Sequence, residues 1–166
     1  MNECNILVVS DTHGNSRMIG QLLENYHGAL TAAVHLGDNA RDMMRYANHP
    51  GIEIYITNGN TDPLVESYEE RVVEISGVRI FITHGHRYGV KTGLDNLIYK
   101  AKEIQVDVCL FGHTHIPVCF TQDNILFLNP GSPTYPGPET ERGYGMLRIS
   151  DERAVSGKLL TYKEPL

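Results

Sequence analysis

The chain reads as an α/β protein. Short β-branched apolar runs alternate with helix-length segments in its first half, and five of the runs stop at clusters of Asp, Asn, His and Gly. In open α/β sheets the loops leaving the carboxyl ends of strands share one edge, where ligands bind. The second half is richer in strand-like stretches, so the sheet is expected to be mixed or to double into two.

Residues 5–10 form the first run, which stops at Asp11-Thr12-His13 and is followed by a helix-length segment from 16 to about 26. Residues 32–36 precede Gly37-Asp38, and residues 52–57 precede Gly59-Asn60. Arg71–Ile75, Ser76-Gly77 and residues 78–83 have the pattern of a hairpin whose turn is carried by Gly77. The second arm runs into Thr83-His84-Gly85-His86. Leu94, Leu97, Ile98 and Ala101 lie at helical spacing and predict a helix from 93 or 94 to 103. Residues 108–111 precede Gly112-His113-Thr114-His115. Strands are expected at 117–121 and 125–129, joined by the turn-prone Gln122-Asp123-Asn124, and again at 145–149 and 158–163. The Pro- and Gly-rich segment 130–138 reads as a structured or semi-mobile loop, a cleft rim or contact surface rather than a domain boundary.

Composition bounds the function. With 166 residues and 41% hydrophobic content, the chain suits a single domain, residues 1–166, with a sizeable core. A net charge of −6 and no cluster of Lys and Arg argue against general nucleic-acid binding. No apolar run approaches membrane-spanning length, and the N-terminal run lacks the positive flank and length of a signal peptide, so a cytoplasmic protein is expected. Cys4, Cys109 and Cys119 show no paired spacing. Two lie in strand-like runs, and all three are expected to be plain hydrophobes rather than disulfide or zinc ligands.

The strand-end donors carry the chemistry. Asp11, His13, Asp38, Asn60, His84, His113 and His115 mix hard oxygen with borderline nitrogen, which suits Mn²⁺, Fe, Zn²⁺ or Ni²⁺ better than Mg²⁺ or Ca²⁺. They exceed what one tetrahedral ion takes and supply two ions if a carboxylate bridges; Asp38 is the expected bridge. Such a pair can clamp both oxygens of an in-line displacement at phosphorus and ionise a shared water. Two dications against two carboxylates and a hydroxide leave about +1 locally, enough to attract a phosphate to an acidic protein.

Asp11-x-His13, Gly37-Asp38, Gly59-Asn60, His84 and Gly112-His113-x-His115 resemble, in order and spacing, the calcineurin-like metallophosphoesterases. The stretch from Thr83 to Lys91 and Asn129-Pro130-Gly131-Ser132 are similar to the small single-domain bacterial and archaeal phosphodiesterases of that superfamily. The resemblance implies a four-layer α-β-β-α sandwich of two mixed sheets flanked by helices. It implies one ion on Asp11, His13 and His115, another on Asn60, His84 and His113, and Asp38 between them, with Mn²⁺ the usual activating metal and Fe, Zn²⁺ or Ni²⁺ as alternatives. The implied reaction is hydrolysis of a small phosphodiester by metal-bound hydroxide; Asp38, Asn60 and His86 are the candidate catalytic residues. Phosphomonoester hydrolysis is an alternative, as is an interaction scaffold resembling the vacuolar-sorting retromer subunit; a homo-oligomer is an open alternative.

One position departs from the larger family members. They place a general-acid His directly after the metal-binding Asn, where this chain has Thr61. A threonine hydroxyl is a poor proton donor, and general-acid help is typically worth about 10²–10⁴-fold. His86 is the substitute donor or phosphate contact, or it simply supports its loop. Asn39 and Thr61 are the other candidate substrate contacts, with a helix cap the competing role for Asn39. Asp62, before Pro63, reads first as a turn signal that also orients the Asn60 loop. Glu66, Glu69, Glu70 and Arg71 read as a solvated surface, His27 and His49 as surface residues, and His35 as a packed or supporting residue.

Overall fold

The computed structural model describes residues 3–65 and 68–164. Two five-stranded mixed sheets stack face to face. The first has the order β10 (Val155–Thr161), β9 (Gly143–Ile149), β1 (Cys4–Val9), β2 (Ala32–His35), β3 (Glu53–Ile56). In it β1, β2 and β3 are parallel and β9 and β10 antiparallel. The second has the order β4 (Arg71–Ile75), β5 (Val78–Ile82), β6 (Val108–Leu110), β8 (Ile125–Asn129), β7 (Val118–Gln122), with β5, β6 and β8 parallel.

The period of two along each strand divides the core into three slabs. Ile6 and Val8 of β1 face the second sheet and meet Ile80, Ile82, Val108, Leu110 and Leu128. Leu7 and Val9 face the other way, onto α1 (Ser16–Asn25). Phe81, Cys109 and Phe127 form the outer slab of the second sheet beneath α3 (Asp95–Glu103). Sheets covered on both faces need apolar residues at every position, which is why β1, β6 and β8 read as continuous runs rather than alternations. The expected helix–sheet–sheet–helix layering is present.

Helix α1 starts where the Asn15 side chain accepts from the Met18 N–H at 3.3 Å. It buries Met18, Ile19, Leu22 and Leu23, each contributing about 1.5–3 kcal/mol. A short helix α2 (Arg41–Met44) follows β2 and is too brief to show a period. Both tight hairpins use consecutive left-handed residues, Ser76-Gly77 and Asp123-Asn124, the backbone that matches strand twist. Among the described residues, no helix is long and apolar enough to cross a membrane.

Several expectations are corrected. β10 occupies Val155–Thr161 rather than 158–163, because its register with β9 starts at Val155 opposite Ile149 and ends at Thr161 opposite Gly143. That same pairing carries β9 back to Gly143. All three cysteines lie in strands, Cys4 and Cys109 buried and Cys119 half-buried, and all are free. Glu70 is half-buried rather than freely solvated: it accepts hydrogen bonds from Thr83 Oγ1 and Tyr88 Oη, both at 2.7 Å, tying the start of β4 to the segment after β5. Glu66 lies outside the described residues.

Candidate metal centre

Because β1, β2 and β3 run parallel, as do β5, β6 and β8, the loops after β1, β2, β3, β5 and β6 emerge at one edge of the sandwich. Backbone hydrogen bonds join them. Asp11 N–H donates to Gly37 O at 2.9 Å within the first sheet, and Gly112 N–H donates to His84 O at 3.0 Å within the second. Two further bonds cross between sheets: His113 N–H to Asp11 Oδ2 at 3.0 Å, and His84 Nδ1–H to Leu36 O at 2.7 Å.

All the strand-end donors therefore meet. Ligating atoms of Asp11, His13, Asp38 and His115 lie within 4.8 Å of one another, and so do those of Asp38, His84 and His113. Asp38 belongs to both groups. Asn60 Oδ1 joins the second, 3.2 Å from His84 Nε2.

The hydrogen bonds fix what these atoms present. With Nδ1–H committed to the Leu36 carbonyl, neutral His84 turns the lone pair of Nε2 toward Asn60 Oδ1, Asp38 Oδ1 at 3.4 Å and His113 Nδ1 at 3.1 Å. His115 commits Nδ1–H to Tyr135 O at 2.6 Å, leaving Nε2 to face Asp11 Oδ1 at 3.2 Å and His13 Nε2 at 3.4 Å. Asp11 Oδ1 is itself buried without a hydrogen-bond partner among the described residues. Acceptors crowded at these distances repel unless positive charge sits among them. Burial disfavours charge on His84, yet the Asp38 and Asp11 carboxylates more than offset it and raise its pKa. Asp11 raises His115 against a smaller penalty of burial. Conversely, Asp38 is held well below the usual carboxylate range, its own burial outweighed by His84 and Thr61. The mixed nitrogen and oxygen set fits a divalent transition ion in each group.

Residues 4–152 match the calcineurin-like phosphoesterase superfamily domain. The chain belongs to that superfamily. This phosphoesterase domain is 30% identical over 152 residues to the probable metallophosphoesterase YsnB of Bacillus subtilis, an alignment covering 91% of the chain and 88% of YsnB. It is 28% identical over 142 residues to the phosphodiesterase MJ0936 of Methanocaldococcus jannaschii, covering 75% and 81% of the two chains. The crystal structure of a conserved uncharacterized protein, a predicted phosphoesterase, from Streptococcus pneumoniae TIGR4 superposes with a TM-score of 0.76 at 28% identity, covering 98% and 99%.

The candidate centre is built under strain. Asp11, His13, Asp38, His113 and His115 all have left-handed backbone, with φ of 55°, 47°, 59°, 69° and 59°. Such conformations cost non-glycine residues about 1–3 kcal/mol each and persist only where the surroundings over-determine them. Two glycines are required by crowding rather than by φ. A Cβ at Gly59 would run into Asp38 Oδ1 and the Asp38 backbone nitrogen, and one at Gly112 into Ser10 Oγ.

Several supporting residues carried little sequence signal. Asp62 does more than begin a turn: Oδ2 accepts from the N–H groups of Asp38 and Gly59, both at 2.8 Å, and Oδ1 from Ala40 N–H at 3.0 Å. One carboxylate thus locks the β2 and β3 loops together. Asp62→Ala is expected to weaken divalent-ion affinity by roughly 10–100-fold, the usual effect of losing an outer support, measured by Mn²⁺ titration.

The 130–141 loop is more than a rim. Its first residues, 130–133, are buried. Ser132 Oγ donates to Asp11 O at 2.8 Å, Thr134 Oγ1 to Thr12 O at 2.7 Å, and Tyr135 O holds His115. Asn129 Nδ2 donates to Gly112 O and Thr114 Oγ1, both at 3.0 Å.

The candidate substrate contacts are less alike than the sequence suggests. Asn39 does not cap α2: the N-cap position is Ala40, with no side-chain cap, and Asn39 offers its carbonyl to Asp42 N–H at 2.9 Å. Thr61 is exposed and supports Asp38 through its backbone N–H, 3.2 Å from Oδ1. His86 opens the short 3₁₀ turn His86–Tyr88, its ring 5.4 Å from that of His84. Its Nδ1 is buried without a hydrogen-bond partner among the described residues, and burial followed by the nearby His84 lowers its pKa. A cleft of about 490 Å³ adjoins the centre here, lined by Asn60, Leu64, Val65, His84, His86 and Arg87 among others.

Proposed function

We propose that this chain is a divalent-metal-dependent phosphodiesterase with a dinuclear centre. In this reading Asp11, His13 and His115 would hold one ion, Asn60, His84 and His113 would hold the other, and Asp38 would serve both. The observation that carries it is the convergence of strand-end acceptors on one place, above all Nε2 of buried His84, whose Nδ1–H is committed to Leu36 O, facing Asp38, Asn60 and His113. The relative named a phosphodiesterase supports the diester as substrate class. Mn²⁺ is the ion that the family resemblance implies, and Fe, Zn²⁺ and Ni²⁺ also suit the donors.

When bound, two such cations supply Lewis acidity at the phosphoryl oxygens and a nucleophilic water at neutral pH. The protein supplies placement and charge. Asp11 keeps Oδ1 turned inward because Oδ2 is occupied by Ser10 Oγ and His113 N–H. Asn60 is a neutral ligand, so the centre retains positive charge to attract a phosphate. Asn39 and Thr61 are the other candidate substrate contacts, each next in sequence to an expected ion ligand, and Thr61 has no group acidic enough to protonate an alkoxide. His86, its ring 5.4 Å from that of His84 and lining the adjoining cleft, is the candidate to contact the phosphate, and its lowered pKa makes it the weaker candidate to protonate the leaving oxygen.

The test is hydrolysis of a bis-aryl phosphodiester with added Mn²⁺. Wild type is expected to turn over and His84→Ala to lose at least about 100-fold in kcat/KM. Equal inertness of both, with ions still bound, favours a scaffold; faster turnover of the aryl monoester makes the protein a monoesterase.

A further inference from the structure

The strongest unassigned feature is a buried chain of hydrogen bonds behind the β1 loop. Gly37 N–H donates to His35 Nδ1 at 3.1 Å, so neutral His35 carries its proton on Nε2. That nitrogen lies 2.8 Å from Thr12 Oγ1, whose own proton goes to Asp42 Oδ2 at 2.7 Å. The same carboxylate oxygen accepts from Gly14 N–H at 2.8 Å. Thr12, His35 and Asp42 are all buried. Each donor meets an acceptor, so the chain has one consistent direction, from the β2 backbone through His35 and Thr12 to α2.

Its geometry singles out one residue. Thr12 and Gly14 flank His13, and Asp42 grips both flanks, the side chain of one and the backbone of the other. His13 is held between them at φ 47°, a conformation that relaxes when its restraints are removed. Asp11 has separate anchors in Gly37 O, Ser10, His113 N–H and Ser132. His84, likewise, is anchored on Leu36 O. None of these depends on Asp42.

We propose that Asp42, acting through Thr12 and Gly14 and braced by His35, is a positioning residue that sets the affinity of the ion site containing His13 without setting that of the site containing His84. This rests on the two-ion reading above. Asp62 provides the internal contrast, because it supports Asp38, which both sites share.

The test is Mn²⁺ titration of chelator-stripped full-length protein by calorimetry, with bound ions counted by elemental analysis and folding followed by circular dichroism. Wild type is expected to bind two ions per chain. Thr12→Val, nearly isosteric but without the hydroxyl, and Asp42→Ala are expected to keep one ion at wild-type affinity and to weaken the other by roughly 10–100-fold. Thr12→Ser and Asp42→Asn retain the needed donor or acceptor and should restore two-site binding. Unchanged two-site binding in Thr12→Val and Asp42→Ala overturns the proposal, as does equal weakening of both sites or failure of the conservative variants to rescue. Unfolding of both Thr12→Val and Asp42→Ala also overturns it, because the network is then part of the fold rather than a ligand clamp. A wild type that binds fewer than two ions instead refutes the dinuclear reading itself.

Discussion

Asp38→Ala is expected to lower kcat/KM on an aryl phosphodiester roughly a thousandfold or more, about 4 kcal/mol of transition-state stabilisation. It should also reduce Mn²⁺ binding at both sites. The expectation follows from its position: Asp38 is the one residue common to both donor groups, and its Oδ1 lies 3.4 Å from His84 Nε2. Removing it also leaves His84 and its neighbours without the carboxylate that organises their charge. Steady-state kinetics paired with an ion count is the measurement. Retention of two tightly bound ions by the variant would show that Asp38 is not the bridge.

Gly59→Ala is expected to destabilise the protein by about 3 kcal/mol, the upper end for overpacking, and to cost metal binding as well. The added Cβ would collide with the backbone nitrogen of Asp38 as well as with its carboxylate, and backbone cannot swing aside as a side-chain tip can. Urea denaturation followed by circular dichroism reads the stability. Gly14→Ala is the comparison: its φ of +93° strains an alanine, but a Cβ there meets nothing within 4 Å, so about 1 kcal/mol is expected. Equal destabilisation by the two substitutions would contradict the crowding argument.

The layered fold and the donors of the centre were legible because both leave short-range traces. Residues 5–10 and 108–111 are apolar on both faces, which signals a strand covered on both sides, and each ends at a donor-bearing turn. Helix α2 left no comparable trace, since four residues cannot display a period. The start of β10 was misplaced for a related reason. Its residues alternate between half-buried and exposed, and what defines them as a strand is register with β9.

Supporting roles were the least legible. Glu70 looked like one member of a charged surface run, yet hydroxyls from Thr83 and Tyr88 turn it inward. Asp62 read first as a turn residue that also orients the Asn60 loop, as its bond from Gly59 N–H does, but its hold on the β2 loop through the Asp38 and Ala40 amides left no trace in the sequence. His35 had a faint signal, a polar residue inside an apolar strand, but its partner Thr12 is 23 residues away in sequence, and Thr12 is in turn 30 residues from Asp42.

The sequence by itself determined the α/β layering, the set of donors and their place past strand ends, because strand period and terminal turn chemistry are local properties. Tertiary structure alone decided which nitrogen of each histidine faces the centre and which distant carboxylates hold the loops in left-handed backbone. Those depend on parallel strands aligning five loop ends at one edge, a consequence of register and sheet stacking that no single segment contains.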